Sequence, residues 1–301
     1  MAIFRRKNSI SSSFSDHVFG GIILFLSILI FIIIAYPLWF VVIASISSSD
    51  LVNLGKVTFF PKGIIFYGYE QILGDSRIWT GYMNTIIYVV VGTALNLAVT
   101  LPAAYALSRK DFKARNIIML YFVFTMFFNG GIVPTYMTVS ALGLISTRAV
   151  FIIFLAVNTF NLIIARTFIE NSIPNELYEA AVIDGCTHFK YFMTVIIPLS
   201  KAMISVLLLY YAVYHWNDFF NALLFNSNNE YEPLQIVLRR ILILNEAFKS
   251  GNGSVGGGYA QRSADQVKYA VIIVSTLPIL CLYPFIQKYF EKGVMIGAIK
   301  G

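Results

Sequence analysis

Between two long apolar runs lies a polar break, Glu176-Leu-Tyr-Glu-Ala-Ala-Val-Ile-Asp-Gly185, which ends at Val195-Ile-Ile-Pro198. Its residue types suit docking rather than catalysis. Glu179 and Asp184 can form charge-assisted hydrogen bonds to a partner's arginines or lysines. Leu177, Tyr178, Val182 and Ile183 offer apolar contact, and Ala180 and Ala181 make one flank small enough for close approach. The other reading is an amphipathic helix lying on lipid. Such helices are usually basic, and residues 176–184 are acidic.

A second set of polar residues sits inside the apolar runs: Asn84, Asn96, Asn129, Thr135, Asn158, Asn161, Asn217, Asp218 and Asn221. Asn158 and Asn161 are three apart, which places them on one helical face. Asn217 and Asn221 are four apart, on another. A carboxylate within a membrane span, here Asp218, is by default a functional hypothesis. Tyr214 and Trp216 lie beside it. Two readings stand for this set. It can line a path for a hydrogen-bonding solute. Equally, asparagines can join helices, and Tyr214 and Trp216 can form an aromatic belt.

No residues suggest chemistry on a bound group. His17, His188 and His215 are isolated, and Cys186 and Cys281 read as ordinary thiols. No triad or pair of intramembrane acids is found, so no catalytic residue and no metal site is expected. Gly55-Lys56 lacks the upstream glycine and following hydroxyl of a phosphate-binding loop. Any ATP-Mg must therefore sit on another polypeptide, with no cofactor on this one.

The elements that must hold these residues are membrane helices. Of 301 residues, 58% are hydrophobic and only 12% charged, with a mean hydropathy of +0.74. A soluble domain has about a quarter of its residues charged. A bilayer core takes about 20 apolar residues as helix. Six segments qualify: 19–46, 82–107, 117–139, 149–168, 202–225 and 269–290. The first has no cleavage site and reads as a retained anchor. The net charge of +7 gathers beside spans, as at Arg5-Arg6-Lys7 and in Arg109, Lys110, Lys113 and Arg115. This is the positive-inside pattern, and it argues against nucleic acid. It puts both termini and residues 166–201 in the cytoplasm, and residues 47–80 and 226–268 outside. The expected layout is an N-terminal segment 1–18, a membrane domain 19–290 and a tail 291–301. Pro37, Pro102, Pro134, Pro278 and Pro284 interrupt the spans, and Gly251–Gly258 is a flexible stretch without a phosphate-loop pattern.

Local physics shapes the break itself. Asn171 or Ser172 can cap a helix with Pro174 in its first turn. Glu176 and Glu179 favour the helix N-terminal end. Gly185 permits a left-handed stop after Ile183. A second helix, about 188–196, leads to Pro198.

Glu179-Ala-Ala, three residues, Gly185, nine residues and Val195-x-Ile-Pro198 resemble the EAA loop of ABC-importer permeases. The resemblance covers almost the whole chain and includes the ending Gln287-Lys-Tyr-Phe-Glu-Lys-Gly-Val-Met-Ile-Gly-Ala-Ile-Lys-Gly301, similar to tails of maltose-type carbohydrate permeases. Phe128-Asn-Gly-Gly-Ile-Val-Pro-Thr-Tyr136 and Trp216-Asn-Asp-Phe219 resemble the polysaccharide and complex-oligosaccharide branch, which includes alginate-transporter membrane subunits. The resemblance implies an all-α, six-span type I importer permease in a bacterial cell membrane. It implies coupling to an ATPase through residues 171–200: Glu176, Leu177, Glu179, Ala180, Ala181, Asp184, Gly185 and Pro198. Its partners would be a second homologous permease, two ATPase subunits and an extracytoplasmic binding protein.

Sugars then become the expected solute, since hydroxyls need paired donors and acceptors and C–H faces stack on rings. Asn129, Asn158, Asn161, Tyr214, Trp216, Asn217, Asp218 and Asn221 are the candidate path. Most are uncharged, which suits a neutral glycan; an acidic one would draw cations from the partner permease. The alternatives are an ion-coupled secondary transporter, with Asp218 as its main ion-binding candidate, and a non-transporting receptor, which would leave the EAA loop without a purpose.

Overall fold

The computed structural model describes residues 14–250 and 265–281. The stretch 251–258, the end of the sixth segment and the tail 291–301 lie outside the described residues. No strand is present among the described residues. The chain forms two compact units, residues 1–70 with 248–273 and residues 71–247 with 274–301.

In the first unit, Phe14–Ser45 is one 32-residue helix, about 48 Å long at 1.5 Å per residue. It is apolar all round, and its most apolar window has no residue buried within the chain. Serines fix its end. Ser47 Oγ donates to the Ile43 carbonyl at 2.6 Å and accepts from the Lys62 amide at 3.2 Å. Ile43, Ala44, Val52 and Val57 form a small core there. Gln266 donates to the carbonyls of Ser47 and Ile65.

In the second unit, Ser76–Ser108 runs as a continuous 33-residue helix with a π turn at Tyr88–Gly92. It packs against Thr159–Ser172 and Lys201–Trp216. Leu101, Ala104, Leu162, Ala165, Leu207 and Tyr211 form the centre of its core.

Three expected spans are broken. Segment 117–139 bends by 118° between Arg115–Phe127 and Ile132–Ala141. Gly131 takes φ +89° at the bend, and the Asn129 side chain accepts its amide at 2.9 Å. Segment 149–168 splits into Arg148–Ile153 and Thr159–Ser172, with Leu155 at φ +58° between them. Segment 202–225 stops at Trp216 and restarts at Phe220, and Asp218 Oδ1 accepts the Asn221 amide at 3.2 Å in the first turn of the second helix. By length and composition, two helices can cross a membrane among the described residues, or four when each bent pair counts as one span. Residues 226–268, expected as an outer connection, contain the helix Leu234–Ser250, whose Leu234, Ile236, Val237 and Leu238 are buried.

Candidate functional site

The polar break folds much as its residues dictate, with one correction at its start. Asn171 and Ser172 do not cap; they end the preceding helix Thr159–Ser172. The residue before a proline resists helical backbone, so Ile173 is extended (φ −112°, ψ 109°) and Pro174 stands before the helix rather than in its first turn. The helix Asn175–Ile183 then begins with Asn175, whose amide donates to Glu179 at 2.7 Å. Gly185 closes it at φ +70°, where its amide reaches the Val182 carbonyl and the Cys186 amide the Ala181 carbonyl. A Cβ at Gly185 would meet nothing within 4 Å, so backbone conformation alone requires glycine there. Thr187 caps the following helix through the Lys190 amide.

No residue of Asn175–Ile183 is buried. Leu177, Val182 and Ile183 are exposed, Ile183 at 86%. Glu176, Glu179, Ala180, Asp184 and Pro198 are exposed too. Ala181 departs from the expected open flank: it packs inward with Tyr178 and Cys186 against the core.

What holds the helix was not visible in its own sequence. The Arg109 guanidinium lies 3.4 Å from the Tyr178 ring centroid. His188 stacks on Tyr178 at 5.6 Å and lies 3.2 Å from the Tyr105 hydroxyl through Nδ1. Tyr191 meets Tyr178 edge-on. The basic loop read as a topology signal thus supplies the main cation of this clamp. Behind it is a polar cavity of about 620 Å³, lined by Arg109, Lys110, Arg115, Glu170, Asn175 and Glu176 among others. Glu170 pairs with Arg166 at 3.1 Å and with Arg115 at 3.6 Å.

The residues expected to line a path do not form one site. Asn158, Asn161 and Tyr214 share a cavity of about 530 Å³ with Leu155, Phe160 and Tyr210. Asn158 and Asn161 are not two members of one helical face: Asn158 precedes the helix, and its side chain accepts the Asn161 amide at 3.1 Å. Asn129 is at the 118° bend. Trp216 is 5% exposed and donates to the Ser275 carbonyl at 3.0 Å. Asn217 donates to the Val213 carbonyl, and Asn221 to the Tyr214 hydroxyl at 3.1 Å. Asn217 and Asn221 stand on either side of the helix break rather than on one face.

Asn96, which the sequence left as either a solute contact or a helix joint, joins helices in a buried polar core beside this cavity. Asn96 donates to the carbonyls of Leu155 and Ala156 at 3.1 and 2.8 Å. Its Oδ1 lies 2.7 Å from His215 Nε2. Tyr211 pairs with Thr100 at 2.7 Å and accepts the Asn158 amide. These side chains satisfy backbone groups freed by the break at 154–158. Interrupted backbone at membrane depth persists only with such partners. His215 fits because residue 92 is glycine; a Cβ there would sit 2.4 Å from Nε2.

The chain thus combines a long bare helix, broken spans stitched by polar side chains and a clamped, solvent-exposed helix. Residues 78–296 match the family of binding-protein-dependent transport system inner membrane components, and the chain belongs to it. It is similar to protein LplC of Bacillus subtilis (strain 168), 37% identical over 88% of this chain and 89% of that protein. It is also similar to the polygalacturonan/rhamnogalacturonan transport system permease protein YtcP of the same organism, 36% identical over 90% and 94%. A chain in the crystal structure of a bacterial ABC transporter involved in the import of the acidic polysaccharide alginate superposes with a TM-score of 0.83. The two are 33% identical, over 94% of this chain and 100% of that one. The chain is thus a non-enzymatic, membrane-embedded permease of the type I fold that works with a binding protein and an ATPase.

Proposed function

We propose that this permease forms half of the translocation pathway of an ATP-driven importer for an oligosaccharide or polysaccharide. A second homologous permease supplies the other half, two ATPase subunits carry the ATP-Mg, and an extracytoplasmic binding protein delivers the sugar. Six spans place both termini in the cytoplasm. Glu176, Leu177, Glu179, Ala180, Asp184 and Gly185 meet the ATPase, with Ala181 and Pro198 setting the angle of the segment. The observation that carries this reading is the exposed apolar edge of Leu177, Val182 and Ile183 on a helix that its own chain clamps but does not cover. Carbohydrate as cargo is supported by the relatives' polysaccharide substrates and by the aromatic and amide lining of the cavity at Asn158, Asn161, Tyr210 and Tyr214.

The test is uptake by the reconstituted complex in proteoliposomes. Glu179→Lys reverses a docking charge, and Gly185→Val forces a β-branched residue to positive φ. Each is expected to lower binding-protein-dependent, ATP-driven uptake by about ten-fold or more, with membrane insertion intact. Undiminished uptake in both variants, or uptake driven by an ion gradient without ATP, would overturn the reading.

A further inference from the structure

We propose that Asn96 is a positioning residue for the saccharide: without touching the sugar, it holds one wall of the cavity that carries it. The inference rests on the importer reading above. The cavity of about 530 Å³ has a regular wall and an irregular one. Tyr210, Val213 and Tyr214 stand on the helix Lys201–Trp216, whereas Leu155 and Asn158 belong to the break before Thr159–Ser172. Leu155 carries φ +58°, a left-handed conformation that side chains with a Cβ resist. Such strain persists only where the surroundings over-determine it, and it gathers at ligand sites.

Asn96 supplies that constraint. Its side-chain amide donates to the carbonyls on both sides of the strained peptide, Leu155 at 3.1 Å and Ala156 at 2.8 Å. With its N–H groups committed, Oδ1 is left as the acceptor, so His215 Nε2 donates to it across 2.7 Å. Asn96 is 1% exposed and His215 2%, and neither lines the cavity. Asn158 has a separate tie, from its amide to the Tyr211 hydroxyl. Loss of the Asn96 amide would therefore release the wall at Leu155 and leave the wall at Asn158 in place. Leu155 would be free to return to an ordinary negative φ, which turns its side chain out of the wall. The ATPase contact proposed for residues 176–185 is separate from this cavity. A displaced wall should thus show in sugar carried rather than in ATP hydrolysed.

The experiment reconstitutes the complete complex with its binding protein in proteoliposomes and measures uptake and ATP hydrolysis together. The probe is whichever of trigalacturonate and maltotriose the wild type carries faster. In Asn96→Ala, sugar carried per ATP is expected to fall about ten-fold, with hydrolysis kept within about two-fold. His215→Leu, which removes the donor to Asn96, should lower the ratio part of the way. His215→Gln, whose amide can still donate, should recover most of it. Leu155→Gly leaves the buried core intact and accepts positive φ without strain; it alters the wall alone and should also lower the ratio, whether or not Asn96→Ala assembles. A wild-type ratio in Leu155→Gly, or equal falls of uptake and hydrolysis in Asn96→Ala and His215→Leu, would overturn the positioning role. Failure of the wild-type complex to carry either probe or any of a panel of neutral oligosaccharides would instead overturn the carbohydrate reading itself.

Discussion

Two polar regions of this permease turn their side chains in opposite directions. Around Asn96, Thr100, Tyr211 and His215, polar side chains point inward and are paired with one another or with backbone carbonyls. Around Asn175–Ile183, acids and apolar side chains point outward. The first region spends its hydrogen bonds on keeping broken helices in register. The second leaves its acids and apolar side chains exposed. Polarity inside an apolar run is thus a weak sign of solute contact until the pairing of each group is known.

The comparison breaks most readily at Gly92. Gly92→Val drives a side chain into His215, and overpacking of this kind costs roughly 1–3 kcal/mol or more. The expected outcome is loss of assembled complex, read by size-exclusion yield and thermal unfolding in detergent. A stable, active Gly92→Val complex would show that the polar core tolerates rearrangement.

A smaller effect is expected from the clamp. Tyr178→Ala removes the ring that Arg109 and His188 grip. Coupled uptake should fall about ten-fold, since cation–π and aromatic contacts here sum to roughly 1–2 kcal/mol. Membrane insertion and assembly should persist. Tyr178→Phe should keep most of the activity, because the hydroxyl lies a full 3.5 Å from His188 Nε2. An equal loss in both variants would place the weight on the hydroxyl instead.

The smallest effect separates the two roles of asparagine. Asn217→Ala removes a hydrogen bond to the carbonyl of Val213 and should change uptake by no more than about two-fold. Asn161→Ala, in the wall of the 530 Å³ cavity, should alter the apparent affinity for substrate more than Asn217→Ala does. The reverse order, measured as half-maximal ATPase stimulation, would return Asn217 to the solute path.

The segment 171–200 was legible because its signals are local. Gly185 must stop a helix, and Pro174 must end the one before it; neither inference needs knowledge of distant residues. At Asn171 and Ser172 the capping tendency of the side chains yields to the restriction that Pro174 puts on Ile173. The breaks at Leu155 and Trp216 were not legible in the same way. The first interrupts an apolar stretch, Phe154-Leu155-Ala156, and what sustains it lies far along the chain, Asn96 being 59 residues from Leu155. The second falls at Asn217-Asp218, polar residues whose types read equally as solute contacts or helix joints. The helix Leu234–Ser250 was missed because Arg239 and Arg240 give its middle the charge of an outer loop, although Leu234, Ile236, Val237 and Leu238 are buried.

The bare helix Phe14–Ser45 has a consequence for how the protein is made. Its backbone hydrogen bonds are internal to the helix, and its most apolar window asks nothing of the rest of the chain for burial. A segment of that kind is stable in a bilayer as a solitary helix. It can therefore enter the membrane as soon as it leaves the ribosome. The segment around 154–158 has no such freedom: its open backbone groups must wait for Asn96 and Tyr211 to arrive.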